Sequence, residues 1–263
     1  MLFAVPTMYH RLADAAESDP AVAAGLAQAR LLVSGSAALP AAEHDRLTRL
    51  TRLAVVERYG MSETLMIAST TAAGERRAGS VGTPLRGVEV QLRDDDGSQL
   101  EPGADAIGEV HVRGPNVMLG YLNRPDATAA AFTPEGFFRT GDLAMRSADG
   151  FIRLVGRRAT DLIKSGGFKI GAGEIESVLL EHPQVAEAAV AGLPDADLGE
   201  RVCAWVVLRP EANVTASELT DHVAAALSPH KRPRTVWMVD SLPRNAMGKV
   251  LKTELRANAE ATG

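Results

Sequence analysis

The sequence carries a single cysteine, Cys203, in 263 residues. One thiol can neither close an intrachain disulfide nor build a thiolate metal cluster, a usage that suits a reducing compartment. Cys203 sits in the apolar run VCAWVVL with no histidine or other base beside it, so it reads as a small hydrophobe in a buried strand and not as a nucleophile. Long apolar runs are also absent: nothing approaches the roughly 20 residues needed to cross a bilayer. The opening, MLFAVPTMYHRL, has neither the basic start nor the extended apolar core of a signal peptide, and a cytoplasmic location is expected. That same opening, a strand-like run broken by Pro6, reads like chain taken from the middle of a domain. Charge of one sign is not in excess, since 28 basic and 33 acidic residues leave a net charge of -5. This removes the electrostatic argument for a nucleic-acid or anionic-membrane partner. None of the six histidines has a partner at metal-ligand spacing and no Gly-x-Ser-x-Gly elbow occurs, so zinc and serine-hydrolase chemistry find no support.

What is present is an ordinary globular balance, 46% hydrophobic and 23% charged, in a length that suits one large domain or two ordinary ones. Over residues 1–70 helical and strand signals alternate as in an α/β layer: ARLLVSG (29–35) is a short apolar strand ending in a glycine turn, and Pro40 opens a helix through Leu50. Leu47, Leu50 and Leu53 in RLTRLTRL recur every third residue, which suits one packed helix face. From about 79 to 155 the signals turn to strands, with VEVQLR and EVHVR alternating and Asp96-Gly97 and Asp149-Gly150 supplying hairpin turns. After FIRLVGRRATDLIK the pattern is mixed. A helix from Gly173 presents Ile175, Val178 and Leu179 on one face and stops before Pro183. Strands follow at 185–191 and 202–208, then a helix opened by a Thr215/Glu218 capping box with Leu219, Val223 and Leu227 at helical spacing, then the strand TVWMV. The expected fold class is α/β and α+β. A large domain over 1–158, an α/β layer plus a β-rich subdomain, precedes a small α+β domain over 159–263, with the junction in the charged, glycine-flanked stretch near 158.

Five short runs occur in one order: SGSAALP (34–40), ERYGMSET (57–64), GEVHVRGPNVMLGY (108–121), FRTGDL (138–143) and PRNAMGK (243–249), with IKSGGFKIGAGEIE (163–176) between the last two. Together they resemble the adenylate-forming superfamily of acyl-CoA synthetases, luciferases and peptide-synthetase adenylation domains, over nearly the whole chain and on the C-terminal half of the family's length. The resemblance implies an AMP-forming acid-thiol ligase that makes an acyl-adenylate from a carboxylic acid and ATP, then passes the acyl group to coenzyme A. It also implies a mobile small domain that swings between the two half-reactions. A carboxylate attacking the α-phosphate brings two anions together, so a cation must stand between them and a metal must hold the departing pyrophosphate. Lys249 matches the family's catalytic lysine, a compact ammonium on a long stem beside Gly248. Glu63 matches the carboxylate that holds Mg²⁺, and Thr64 the hydroxyl that donates to the α-phosphate; Ser62-Glu63-Thr64 would also serve as a cap at a helix start.

For the nucleotide, Tyr59 and the small residues Gly35, Ser36 and Ala37 match the positions that sandwich adenine. Asp142 matches the carboxylate that accepts both ribose hydroxyls, though an Asx turn after Gly141 would also use it. Arg157 resembles the ribose-contacting arginine at the hinge. The run GRRATDLIK departs from the commoner spacing by one residue, so Arg157 or Arg158 takes that role and Ala159, Thr160 or Asp161 is the pivot. For coenzyme A, Ser165, Gly166, Gly167 and Phe168 match the loop beside the pantetheine tunnel, and Lys231, with Arg232 and Arg234, could meet phosphates or be plain solvated loop.

Within the family, Arg58 before Tyr59-Gly60-Met61 and the runs VSGSAALP, TDLIKSGG and KIGAGEIE look like malonyl-CoA synthetases. An arginine there would pair the second carboxylate that malonate keeps when it leaves water, and Met61 would narrow the pocket around the central carbon. The alternative for Arg58 is a surface salt bridge with Glu57. Other small or medium-chain acids remain an alternative substrate, and a non-catalytic nucleotide- or CoA-binding remnant an alternative of another class. The family's phosphate-cradling loop should lie upstream of SGSAALP, and nothing before residue 34 resembles it; STTAAGERR (69–77) lacks its Gly-x-x-Gly rhythm and Pro-Lys end. The N-terminal half of the same protein is therefore an expected partner, beside ATP, a small carboxylic acid and CoA.

Overall fold

A computed structural model describes residues 1–104, 106–245 and 250–262, the side chains of 260–262 excepted. Lys249, with Gly248, lies outside the described residues. The chain divides into two compact units, Met1–Leu154 and Val155–Gly263. The first begins as an α/β layer in the order β1 (Leu2–Ala4), α1 (Pro6–Ser18), α2 (Pro20–Ala27), β2 (Leu32–Ser34), α3 (Ala41–Thr51), β3 (Val56–Met61), β4 (Leu65–Ser69) and β5 (Thr83–Pro84). Proline at the first turn of α1 and of α2 costs no hydrogen bond, because the N–H it lacks would have no helical partner there. Strands β1, β2 and β3 run parallel, with Leu32 opposite Leu2 and Val33 opposite Val56, while β4 and β5 return antiparallel. Tyr9, Ala13, Leu32, Leu39, Leu47 and Val55 form the core between helices and sheet. Leu47 is buried on α3, but the helix ends at Thr51 on a left-handed Arg52, so Leu53 lies beyond it and packs from the connecting turn.

The second layer of this unit is a five-stranded sheet in the order β10-β9-β8-β6-β7, from β6 (Glu89–Arg93), β7 (Gln99–Leu100), β8 (Gly108–Arg113), β9 (Phe138–Arg146) and β10 (Ile152–Arg157). A short helix α4 (Pro125–Ala131) precedes β9. Alternation along β6 and β8 sends Val90, Leu92, Val110 and Val112 into one core with Ile67, Ala68 and Tyr59 of the first layer, as the period of two requires. The division between units falls inside β10, a few residues before the stretch near 158. Ile152 is buried in the first core, whereas a Cβ on Gly171 would lie 2.1 Å from a Val155 methyl, so the side-chain environment changes within one strand.

The second unit carries β11 (Leu162–Ser165), β12 (Phe168–Gly171), α5 (Ala172–Glu181), β13 (Val185–Asp195), β14 (Gly199–Leu208), α6 (Ala216–Ala226), a 3-10 turn Pro229–Lys231, β15 (Thr235–Met238) and α7 (Lys252–Thr262). Its sheet runs β12-β11-β14-β13 with β15 parallel on β14. One face packs α5 and α6 through Ile175, Leu179, Leu219 and Val223, and the other buries Cys203, Trp205, Leu242 and Leu255. Burial raises the Cys203 thiol above its ordinary pKa, which makes it less nucleophilic. The Thr215 capping box is present in full, with the hydroxyl accepting from Glu218 N–H and the Glu218 carboxylate accepting from Thr215 N–H.

Candidate active site

In the first unit, sequence motifs that are far apart meet at the ends of β2 and β3. The run Gly35-Ser36-Ala37 leaves the end of β2, with Ser36 in the left-handed region at φ 75°, a conformation that costs energy for a non-glycine residue. Gly35 is buried against the Arg58 side chain, where an added Cβ would sit 3.3 Å from Nε. Arg58 does not pair with Glu57. Its guanidinium lies 5.5 Å from the Phe3 ring centroid and 3.6 Å from the Met66 sulfur, and its Nε is buried without a hydrogen-bond partner. Such a group is costly to leave unmet.

Glu57, in turn, points inward. Its Oε2 accepts from Leu39 N–H at 3.3 Å and its Oε1 from Gly79 N–H at 3.0 Å, tethering the segment after Ala37 to β3. Burial pushes its carboxyl up to about 7, against the downward pull of the two N–H donors and of Arg153.

Tyr59 is buried, and its hydroxyl donates to Asp142 Oδ2 at 2.6 Å. Asp142 lies within β9 and is 8% exposed, so its carboxylate bridges the two layers of the unit instead of closing an Asx turn. Past Tyr59 a bulge shifts the β3–β4 register, and a Cβ on Gly60 would come within 1.9 Å of Leu65 O, an approach only glycine permits. The tight return that follows carries Met61, Ser62, Glu63 and Thr64 in a strand-to-strand turn, not at a helix start. Leu65 there is left-handed at φ 51°. Thr64 is fully buried, its hydroxyl donating to Leu65 O at 3.3 Å. Glu63 Oε1 accepts from Tyr121 OH at 3.2 Å, and Glu63 O from Met118 N–H at 2.7 Å.

Sequence reasoning named no role for Asn116 or Tyr121, and gave Glu57 only as a surface partner for Arg58. Asn116 Nδ2 donates to Thr64 O and Met66 O and so holds the turn from outside. The signal was in hand, since Asn116 and Tyr121 belong to GEVHVRGPNVMLGY and Glu57 opens ERYGMSET. Among the described residues no group of three or more His, Cys, Asp or Glu could hold a metal. A hard cation at Glu63 would take its remaining ligands from phosphate and water, the arrangement Mg²⁺ favours, so the donor set fits that ion.

In the second unit Arg157 ends β10 and its N–H donates to Asp161 Oδ2 at 2.7 Å. Ser165 is buried, while Gly166 and Gly167 make the β11–β12 turn in left-handed conformations. Phe168 stacks on His230 at 4.1 Å between centroids, which brings this loop beside the 3-10 turn. Lys231 in that turn is ion-paired with Glu174 at 2.7 Å, so it is an intramolecular partner here and not a free cation. Arg158 instead lines an open cavity of about 410 Å³ with Ala159, Leu162, Lys164, Gly199, Glu200 and Arg256.

The model for AMP-binding enzymes matches residues 1–122, and that for the C-terminal domain of AMP-binding enzymes matches residues 174–249. The chain belongs to the AMP-binding, adenylate-forming enzyme family. It is 40% identical to malonate–CoA ligase of Arabidopsis thaliana over 97% of this chain and 44% of the relative. The structure of ATP-bound MatB from Rhodopseudomonas palustris superposes with a TM-score of 0.89 at 40% identity, over 99% of this chain and 51% of that one. A malonyl-CoA ligase in a ternary product complex with methylmalonyl-CoA and AMP is 61% identical over 93% of this chain and 52% of that one, with a TM-score of 0.57. This AMP-binding family chain thus spans about half the length of the relatives it matches. No described helix is long and apolar enough to cross a membrane.

Proposed function

We propose that this chain is the C-terminal part of an AMP-forming acid:CoA ligase whose acid is malonate. The observation that carries the substrate is Arg58: its guanidinium lies beside the Gly35-Ser36-Ala37 run with a buried, unpartnered Nε. A carboxylate is the chemical complement of such a group, since a charge-assisted pair satisfies both partners on leaving water. Malonate has one carboxylate to react and a second to be held, whereas a fatty acid would leave Arg58 unmet. The relatives named for malonate and methylmalonyl-CoA support the same reading, and Met61 at the end of β3 would limit the substituent on the central carbon.

In this reading one malonate carboxylate attacks the α-phosphorus of ATP and pyrophosphate leaves; the thiol sulfur of CoA then attacks the acyl carbon and AMP leaves. Gly35, Ser36 and Ala37 face one side of adenine and Tyr59 the other, with Asp142 receiving the ribose hydroxyls. Arg157 keeps the ribose-contact role that the family resemblance gives it. Thr64 donates to the α-phosphate, which requires its hydroxyl to leave Leu65 O. Glu63 would hold Mg²⁺, which supplies charge neutralisation of the pyrophosphate when bound. Lys249 bridges phosphate and carboxylate oxygens, and Ser165, Gly166 and Gly167 border the path of the pantetheine thiol. The domains of this reading are 1–158, part of the large nucleotide-binding domain, and 159–263, the small domain.

The deciding experiment supplies the N-terminal half and measures ATP–pyrophosphate exchange with malonate, methylmalonate, acetate and a medium-chain acid. Malonate is expected to lead. Arg58→Ala should raise the malonate KM by about 100-fold, the cost of one lost charge-assisted contact, while changing that for acetate little. Equal losses on both acids would remove the malonate assignment.

A further inference from the structure

A buried ion cluster in the second unit ties two segments that sequence separates widely. Lys252 opens α7 and is 13% exposed at its side chain; its Nζ lies 2.6 Å from Asp161 Oδ1 and 2.7 Å from Glu176 Oε1. The other Asp161 oxygen accepts the Arg157 N–H, and Glu176 Oε1 also accepts Val190 N–H at 2.8 Å. Burial lowers the Lys252 ammonium, but the carboxylates of Glu176 and Asp161 outweigh it and hold the group above its ordinary pKa.

The turn at the other end of this cluster is closely built. Thr160 N–H and Asp161 N–H both donate to Arg157 O, and Asp161 O accepts from Ala172 N–H. Gly156, at φ 141°, leaves room for the carboxylate, because a Cβ there would sit 2.4 Å from Asp161 Cβ. This is the turn leading out of β10, the strand in which the two units divide.

Lys252 follows Lys249 by three residues in sequence, and the chain on either side of 246–249 is pinned. Arg244 and Val250 form an antiparallel bridge, Leu251 N–H donates to Pro243 O at 2.8 Å, and Arg244 is ion-paired with Glu187 of β13. Residues 243–244 and 250–251, which flank Lys249 in sequence, are thus paired with each other.

We propose that Lys252 is a positioning residue: by bridging Asp161 and Glu176 it fixes the paired residues 243–244 and 250–251, which flank Lys249 in sequence, to the turn Arg157–Asp161. A rearrangement of the turn that moves Asp161 must either carry these paired residues with it or break the Lys252 contact. The catalytic consequence rests on Lys249 being the lysine of the proposed ligase; the mechanical coupling does not.

Amide hydrogen exchange, read by mass spectrometry on the whole chain, tests the coupling without any ligase activity. In Lys252→Met, exchange over 155–162 and over 241–253 is expected to rise together by at least about tenfold while α6 is unchanged, the pattern of one shared local opening. Lys252→Arg keeps a cation that both carboxylates can bind and should return both segments toward the original rates. Unchanged exchange over 155–162 in Lys252→Met would overturn the proposal, because Lys252 would then hold α7 alone. Equal acceleration through α6 in both Lys252→Met and the milder Asp161→Asn would overturn it too, reducing the cluster to a general brace. Absence of pyrophosphate exchange in the reconstituted ligase would sink the ligase reading and leave this result standing.

Discussion

Glu57→Gln separates two opposed effects on one carboxyl. Burial disfavours the charged form, whereas the N–H groups of Leu39 and Gly79, each on a different carboxylate oxygen, favour it. Burial is the larger, moving the group from 4.5 to about 7. At about 1.4 kcal/mol per tenfold change in proton affinity, that displacement is worth about 3 kcal/mol. The folded state binds the proton more tightly than the unfolded chain. The stabilisation is therefore complete below the unfolded value of 4.5, fades as pH rises, and is lost above about 7. Glutamine is neutral throughout, so the stability difference between the original chain and Glu57→Gln should shrink by about 3 kcal/mol between about pH 4.5 and 7.5. Other titrating groups cancel in that difference. Urea unfolding across this range is the assay, and Glu57 lies in the first unit, so a transition of the second unit should be insensitive to the change. A difference flat with pH, or one that grows as pH rises, would show that the two backbone donors win and that Glu57 is ionised in the folded state.

Tyr59→Phe removes the hydroxyl that donates to Asp142 at 2.6 Å and should cost about 1–3 kcal/mol of stability, the range for a buried bond to a charged acceptor; a melting temperature within error of the original would refute this. Gly60→Ala places a Cβ 1.9 Å from Leu65 O, and should destabilise the first unit by more than about 3 kcal/mol, since backbone and not a flexible side chain must yield. Limited proteolysis should leave a resistant fragment over 159–263, which has its own sheet and two-sided core, and digest 1–158 first because its sheets present open edges; a resistant N-terminal fragment would contradict that reasoning.

Much of the local structure was legible in the chain. The capping box at Thr215 and Glu218 depends on residues three apart, and the helix from 172 to 181 and the strands of the second unit on periodicities of 3.6 and 2. These are short-range properties, so the sequence carries them openly. The motif order was likewise enough to name the family. Boundaries were less visible: α3 stops before Leu53 because Arg52 turns left-handed, and the units part inside β10 because Val155 finds Gly171.

What the sequence by itself determined is the chemistry available and the elements that carry it. Tertiary structure decided which charges have partners. Arg58 and Glu57 are neighbours in sequence, where a surface ion pair is the alternative to a substrate contact, yet on a strand they leave from opposite faces; one meets Gly35 with its Nε unsatisfied and the other is bonded to Leu39 and Gly79. Lys231 read as a free cation until Glu174, 57 residues away, was found beside it, and Lys252 drew no attention until folding placed Asp161 and Glu176 around it. Pairing of charges is a long-range matter, because Coulomb attraction acts on distance in space while the sequence records only distance along the chain.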